Sequence, residues 1–316
     1  RLVSMRERTV GASGLVVGTI GLGTLTWGRD TDIKEAKGQL ETILDSGGNL
    51  IDTSPAFGHG AAESCVGELL ESVVDRESVV LCTRAGFVPG PGGMRFGAGR
   101  GPLLDSVRAS LERLGTSYID LLLVACPDPL APDEETASAL GWLIDRGIVR
   151  YVGVQEYTSW RAAILTEKLR AAGLPLITAV EREYSLVCRD VEAEIIPMAS
   201  HLGLGVLASS PLGRGVLTGK YRHSIPPTSR AASEHLAAFV EPYLGERARR
   251  IVEAVAKAAD GLGRTPADIA LSWVIGRPGV TAAIVGARTS AQLQATVSRC
   301  KPLPELVSEA LADISD

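Results

Sequence analysis

The sequence predicts an α/β fold: a single (β/α)8 TIM barrel with an N-terminal β-hairpin and additional C-terminal helices. Short β-branched runs alternate with amphipathic stretches from one end of the chain to the other. Eight of these runs are strand candidates, each apolar enough to be covered on both faces. Parallel strands buried on both sides and separated by helices close most readily into a barrel.

In chain order, Arg6–Val17 comes first and reads as a hairpin, with Gly11-Ala12-Ser13-Gly14 between two short β-prone pieces. The strand candidates are Thr19–Gly21, Leu50–Asp52, Val79–Thr83, Ile119–Val124, Tyr151–Val154, Ile177–Glu181, Gly205–Ala208 and Ala283–Val285. Between the first two, Ile33–Leu44 repeats apolar residues at three- and four-residue spacing, as a helix with one buried face does. Ala62–Glu71, Leu103–Leu114, Thr136–Ile144, Trp160–Ala171 and Val191–His201 follow the same rule. Glu246–Ala259, Pro266–Ile275 and Pro304–Ile314 supply further outer helices. The Gly/Pro-rich run Val88–Pro102 and the stretch Arg222–Pro242 read as long loops, which usually shape a site. An open doubly wound sheet is the competing architecture. Its dinucleotide-binding version needs Gly-x-Gly-x-x-Gly after the first strand, and Ile20-Gly21-Leu22-Gly23-Thr24-Leu25 lacks the third glycine. No internal boundary divides the chain, so residues 1–316 are expected to form one domain.

With 316 residues, 45% hydrophobic and 22% charged, the chain can bury a substantial core. A net charge of −5 and the absence of a basic block argue against nucleic acid or an anionic membrane as partner. No run approaches the ~18 apolar residues of a membrane span, and Arg1–Met5 opens no apolar signal stretch. Five cysteines (Cys65, Cys82, Cys126, Cys188 and Cys300) are scattered without metal-type spacing. No metal site is therefore expected, and a reducing cytoplasm fits best. The sequence leaves the oligomeric state open.

The segment Gly48–Gly60, with Asp52, Phe57 and His59, running on to Glu63 and Gly67, resembles the second strand and following loop of the aldo-keto reductases. Ser210–Tyr221 is similar to a run typical of the prokaryotic and potassium-channel-β-like branches of that family, and Gly147–Val154 and Glu183–Leu186 add to the likeness. It covers nearly the whole chain. The resemblance implies a barrel that carries NADP(H) extended across its C-terminal mouth and acts on a small carbonyl or sugar-like molecule.

At the phosphate end of such a cofactor the residues also make physical sense on their own. In Ser210-Pro211-Leu212-Gly213-Arg214-Gly215, the glycines Gly213 and Gly215 let backbone N–H groups approach a pyrophosphate, and Lys220 adds charge. Ser229 and Arg230, in Pro226–Arg230, match cofactor contacts of channel-β-like members. Arg288 offers a guanidinium fork to an adenosine 2′-phosphate, and Gln292 matches an adenosine contact. Singly, each also has a plainer reading as a polar or basic group on a surface loop; as a set they favour NADP over NAD. The nicotinamide end departs from the family. Gln155-Glu156 stand for Ser-Asn, Glu181 for Gln, Ser209 for the stacking aromatic, and Thr296 for an Asn at the adenine end. An ionised Glu181 only accepts hydrogen bonds, so the ring is held differently or not at all.

The resemblance also implies a catalytic tetrad of Asp, Tyr, Lys and His. Here the matching positions are Asp52, Phe57, Arg84 and Cys126. Phe57 has no proton to transfer, a loss of general-acid help typically worth ~10²–10⁴ in rate. Arg84 can pair with Asp52, bidentately by expectation, but does not deprotonate as Lys does. Cys126 is a weak donor beside an imidazole. Two explanations from different classes follow. The mouth has been repurposed for dehydration, epimerisation or isomerisation by Asp52, Glu156 and Glu181 around Arg84, with His59 and Arg182 as further groups. Alternatively, the protein binds NADP(H) without turnover as a sensor or scaffold. Slow reduction of activated carbonyls or quinones, with water as proton donor, is a third course. Plainer roles stand beside these: Phe57 packing on Trp27, Cys126 as an inert core thiol, and Glu156 and Glu181 paired with Arg182 or another base.

Overall fold

The computed structural model describes residues 5–90, 93–227, 229–298 and 300–316. Arg1–Ser4, Pro91 and Gly92 of the Val88–Pro102 run, and Thr228 of the Pro226–Arg230 segment lie outside the described residues. Strands β1 (Glu7–Thr9) and β2 (Val16–Gly18) pair antiparallel as the expected hairpin. The barrel begins with β3 (Ile20–Gly23), β4 (Leu50–Asp52) and β5 (Val80–Ala85). A second hairpin, β6 (Phe87–Gly90) and β7 (Gly93–Phe96), interrupts it. It resumes with β8 (Ile119–Val124), β9 (Val149–Gln155), β10 (Ala179–Glu183), β11 (Gly205–Ser209) and β12 (Val280–Val285). These strands close in the order β10-β11-β12-β3-β4-β5-β8-β9, every neighbouring pair parallel.

Helices α1 (Ile33–Asp45), α2 (Ala61–Ser72), α3 (Arg100–Leu114), α4 (Asp133–Asp145), α5 (Ser159–Ala171) and α6 (Ile195–Leu202) follow successive barrel strands. The chain then adds α7 (Ala237–Val240), α8 (Glu246–Leu262), α9 (Pro266–Gly276), α10 (Ser290–Val297) and α11 (Glu305–Ser315). Helix starts are fixed by side chains that satisfy otherwise unpaired N–H groups: Asp32 accepts from Glu35 N at 2.9 Å, and Thr265 and Thr289 do the same for α9 and α10.

Besides the unexpected helix α10, three segments differ from the sequence expectation. Val88–Pro102 is largely ordered structure, because Phe87 and Phe96 face each other across β6 and β7 with ring centroids 5.3 Å apart. Val191–His201 is not one helix: it divides into a short 3-10 turn and α6, which begins at Ile195 so that Pro197 falls in the first turn. Arg222–Pro242 contains α7 and a 3-10 turn at Arg230–Ala232.

Alternation along the strands produces two apolar shells. One lies between sheet and helices and includes Leu22, Ile51, Leu81, Leu122, Val152 and Val180. The other fills the barrel with Leu50, Val80, Cys82, Leu121, Leu123, Ala179, Leu207, Ala282 and Ile284. Val10, Leu15 and Val17 of the first hairpin belong to this inner cluster and plug the end where the strands begin. Moving two residues along β4, β5 and β10 from Leu50, Cys82 and Ala179 reaches Asp52, Arg84 and Glu181 on the same inward face. The barrel interior thus changes from apolar to charged as the strands run toward their C-terminal ends, the end where barrel enzymes carry their sites.

Candidate active site

A cavity of about 810 Å³ opens at that end, and Asp52, Arg84 and Glu181 form its charged floor. Arg84 is 2% exposed and reaches across the interior from β5 toward β10. Its Nη1 donates to Asp52 Oδ1 at 2.6 Å and to the Thr53 carbonyl at 2.5 Å. Its Nη2 donates to both Glu181 oxygens, at 2.6 and 2.5 Å, and its Nε donates to Gln155 Oε1 at 3.3 Å. Every guanidinium nitrogen has a hydrogen-bond partner. The bidentate pairing expected with Asp52 is instead a single bond, and the contact with both carboxylate oxygens falls on Glu181. Asp52 shares Nη1 with the Thr53 carbonyl at the end of the adjacent strand, whereas Glu181, from across the barrel, has Nη2 to itself.

Two carboxylates and one guanidinium leave this buried layer one negative charge in excess when both acids are ionised. Burial pushes the Glu181 carboxyl up to about 7, against the pull of Arg84; Asp52 and Glu156 push the same way. Burial likewise raises Asp52, opposed by Arg84. The Cys82 thiol beneath is held well above its ordinary range by burial and by Asp52. Burial disfavours ionisation of both acids, and the negative charge of Asp52 adds to that of Glu156 in favouring a proton on Glu181. Glu181 can then donate as well as accept, unlike the acceptor-only group expected for an ionised carboxylate.

The other candidates divide. Phe57 packs on the core cluster that contains Trp27 yet lines the cavity, with the Arg84 guanidinium carbon 5.6 Å from its ring centroid. Glu156 takes a left-handed backbone (φ 51) just past β9 and pairs with Arg182 Nη1 at 3.0 Å on the exposed rim. Cys126 is not brought to the cavity with the others. Its thiol is pushed up by burial and by Glu156 and Asp128, so it is a poor nucleophile. His59 is exposed, also at positive φ (55), and is not among the cavity residues. Both residues lie on turns past the ends of their strands, His59 after β4 and Cys126 after β8, rather than on the inward face that holds Asp52 and Glu181.

From the floor the cavity runs to a cationic end. Ser209, Ser210, Pro211, Leu212 and Gly215 line the wall between, while Gly213 sits behind it at φ 55, where a Cβ would fall 2.6 Å from Val187. Lys220, Ser229, Arg230, Arg288 and Gln292 line the far end. A Cβ at Gly215 would lie 3.0 Å from Lys220 Nζ, so the glycine leaves room for the ammonium. Burial lowers the pKa of both Lys220 and Arg230, and Arg288 lowers each further. Neither Lys220 nor Arg230 forms a salt bridge among the described residues. The buried Ser229 hydroxyl has no hydrogen-bond partner among the described residues. Like charges packed together beside an orphaned hydroxyl fit a polyanionic ligand. The Gln292 side chain accepts from Arg288 N at 3.2 Å, and the Thr296 hydroxyl donates to the Gln292 carbonyl at 2.9 Å.

One cavity-lining pair was not anticipated from the sequence. Arg214, at φ 56, clamps the Glu183 carboxylate through Nε at 3.0 Å and through Nη2, and donates to the Phe239 carbonyl at 2.6 Å. Its guanidinium lies 4.1 Å from the Phe239 centroid. The available signal was period two along β10: Glu183 follows Glu181 on the inward face, and the flanking Gly213 and Gly215 mark a turn able to present Arg214.

A closed eight-stranded parallel barrel with a polyanion-compatible cavity at its C-terminal mouth defines the class. The Aldo/keto reductase family model matches residues 19–316, and the chain belongs to that family. It is 34% identical over 316 residues to a probable voltage-gated potassium channel subunit beta of Arabidopsis thaliana, covering 98% of this chain and 95% of the relative. It is 30% identical over 318 residues to a putative voltage-gated potassium channel subunit beta of Schizosaccharomyces pombe, covering 98% and 92%. It is 32% identical over 292 residues to the aldo-keto reductase YhdN of Bacillus subtilis, covering 92% and 86%. Among the described residues, no helix is long and apolar enough to cross a membrane.

Proposed function

We propose that this protein binds NADP(H) along the cavity and performs acid–base chemistry on a small carbonyl or sugar-like molecule through Asp52, Arg84 and Glu181. Epimerisation and isomerisation need only proton abstraction and return, and dehydration adds cleavage of a C–O bond, the hydroxyl being protonated and leaving as water. The observation that carries the reading is Glu181 itself: a carboxyl in the cavity floor, bound to Arg84, with its pKa pushed up to about 7. A proton-transfer group works best when its pKa lies near the operating pH. Phe57, where the family resemblance expects a phenol, supplies no such proton. Lys220, Ser229, Arg230 and Arg288 are suited to the phosphates, and the cofactor, when bound, brings hydride chemistry to the same cavity. The test is incubation with hydroxy-carbonyl compounds in D₂O. Exchange at carbon that is lost in Glu181→Gln supports the reading, and no exchange with any substrate counts against it.

The similarity to proteins named as channel beta subunits favours a second reading, binding of NADP(H) or a protein partner without turnover. Under that reading NADPH binds, but carbon exchange and reduction of aldehydes, ketones and quinones are all absent. Steady quinone reduction alone would instead mark a slow reductase.

A further inference from the structure

We propose that the charged floor makes this protein select the oxidised, cationic form of the nicotinamide cofactor, with Glu181 as the specificity-determining residue and with loss of a proton on binding. This rests on the NADP(H) reading above and deepens it. The two ends of the cavity carry opposite charge. Lys220, Arg230 and Arg288 gather at one end, and two carboxylates share a single guanidinium at the other. A dinucleotide anchored by its phosphates at the cationic end presents its other end to the floor. An oxidised nicotinamide ring carries a positive charge, and a reduced one is neutral. In a buried site the attraction between that charge and the excess carboxylate is poorly screened.

The groups that face Glu181 support this assignment. Asp52 from β4 and Glu156 after β9 both disfavour its ionisation, and Arg84 from β5 favours it. Gln155 of β9 adds an amide whose Nε2 lies 3.5 Å from Glu181 Oε1. The Cys82 thiol, buried below, stays neutral. Strands β3, β11 and β12 contribute no charged residue. Asp120 of β8 lies in salt bridges with Arg76 and Arg150. Arg84 bonds both acids but carries one positive charge, so it balances only one of their two negative charges. The cluster must therefore keep a proton or meet a cation. When the cation arrives, the Glu181 carboxyl O–H bond breaks and the proton leaves to solvent. The reduced cofactor gives no such incentive, and the proton stays.

Calorimetric titration of the intact chain with NADP⁺, NADPH and adenosine 2′,5′-bisphosphate, in buffers of different ionisation heat, tests this. The bisphosphate contains only the phosphate end and reports whether that end is a cofactor site at all. Dividing the NADP⁺ affinity by that for NADPH cancels titration of the phosphates, Lys220 and the cationic end. For the wild type, the ratio is expected to rise about tenfold between pH 6 and pH 8, with more proton release on binding NADP⁺ than on binding NADPH. In Glu181→Gln the ratio should be flat and the difference in proton release absent. Binding of all three ligands with a pH-independent ratio in the wild type overturns the selection while leaving the cofactor reading intact. If the bisphosphate and both dinucleotides fail to bind, both fall. An unchanged ratio profile in Glu181→Gln assigns the effect elsewhere and also overturns the proposal.

Discussion

Arg84 and Glu181 meet across the barrel interior, from strands separated by two others, with one guanidinium nitrogen 2.5 Å and 2.6 Å from the two carboxylate oxygens. Asp52 holds the neighbouring nitrogen at 2.6 Å. This buried layer combines a fixed positive charge with two acids, and that imbalance sets how the protein responds to substitution and to pH.

Removing the guanidinium leaves two carboxylates buried without a counter-charge. Arg84→Met is expected to destabilise the fold by about 3–5 kcal/mol at pH 7, since loss of one member of a buried ion pair strands the other. The deficit should be smaller at pH 5 than at pH 7, because protonation removes uncompensated charge from the layer. Chemical denaturation at the two pH values checks this.

Replacing Glu181 acts in the opposite direction. Its carboxyl keeps a proton to about pH 7 in the folded protein, while the unfolded chain loses it near 4.5. Between those values the folded state binds more protons, so stability falls as pH rises and levels off above the folded value. Every tenfold difference in proton affinity between the two states corresponds to about 1.4 kcal/mol. Glu181→Gln should therefore raise the melting temperature at pH 8 and leave it near the wild type at pH 4.5.

At the other end of the cavity, Lys220→Ala or Arg230→Ala should weaken NADPH binding by about tenfold or more, the loss of one charge-assisted hydrogen bond at ~1.5–3 kcal/mol. Stability should hold or improve slightly, because each removal relieves packed like charges. Fluorescence titration and thermal melts separate the two effects.

Restoring Tyr, Lys and His at positions 57, 84 and 126 together is expected to yield no aldehyde reductase activity. Cys126 lies off the cavity, and Glu181 remains opposite the restored amine. Cys126→Ser alone should change stability by no more than about 0.5 kcal/mol. NADPH oxidation assays and melts check both.

Much of the architecture was legible because it is written in local periodicity. Leu50–Asp52 and Ile119–Val124 stand where alternation puts them, and α1, α2 and α5 begin within a residue of their predicted starts. The β6–β7 hairpin was hidden by its Gly/Pro content, and α10 by its short apolar pattern. The site was legible in membership more than in pairing. Asp52, Arg84, Glu156 and Glu181 could all be placed at strand ends, but which acid Arg84 would grasp depends on distances across the barrel. Cys126 and His59 show the converse. They were matched by position or proximity in sequence, yet backbone turns carry them away from the cavity that Arg84 floors.

The proposed chemistry and the proposed cofactor selection both depend on Glu181 holding a proton up to about pH 7. Carbon-13 NMR of the side-chain carboxyls, compared between wild type and Glu181→Gln, measures this directly. A carboxyl resonance titrating near pH 7 is predicted, and it should disappear in the variant. Titration of every carboxyl below pH 5 would contradict this, leaving Glu181 a permanently ionised partner of Arg84.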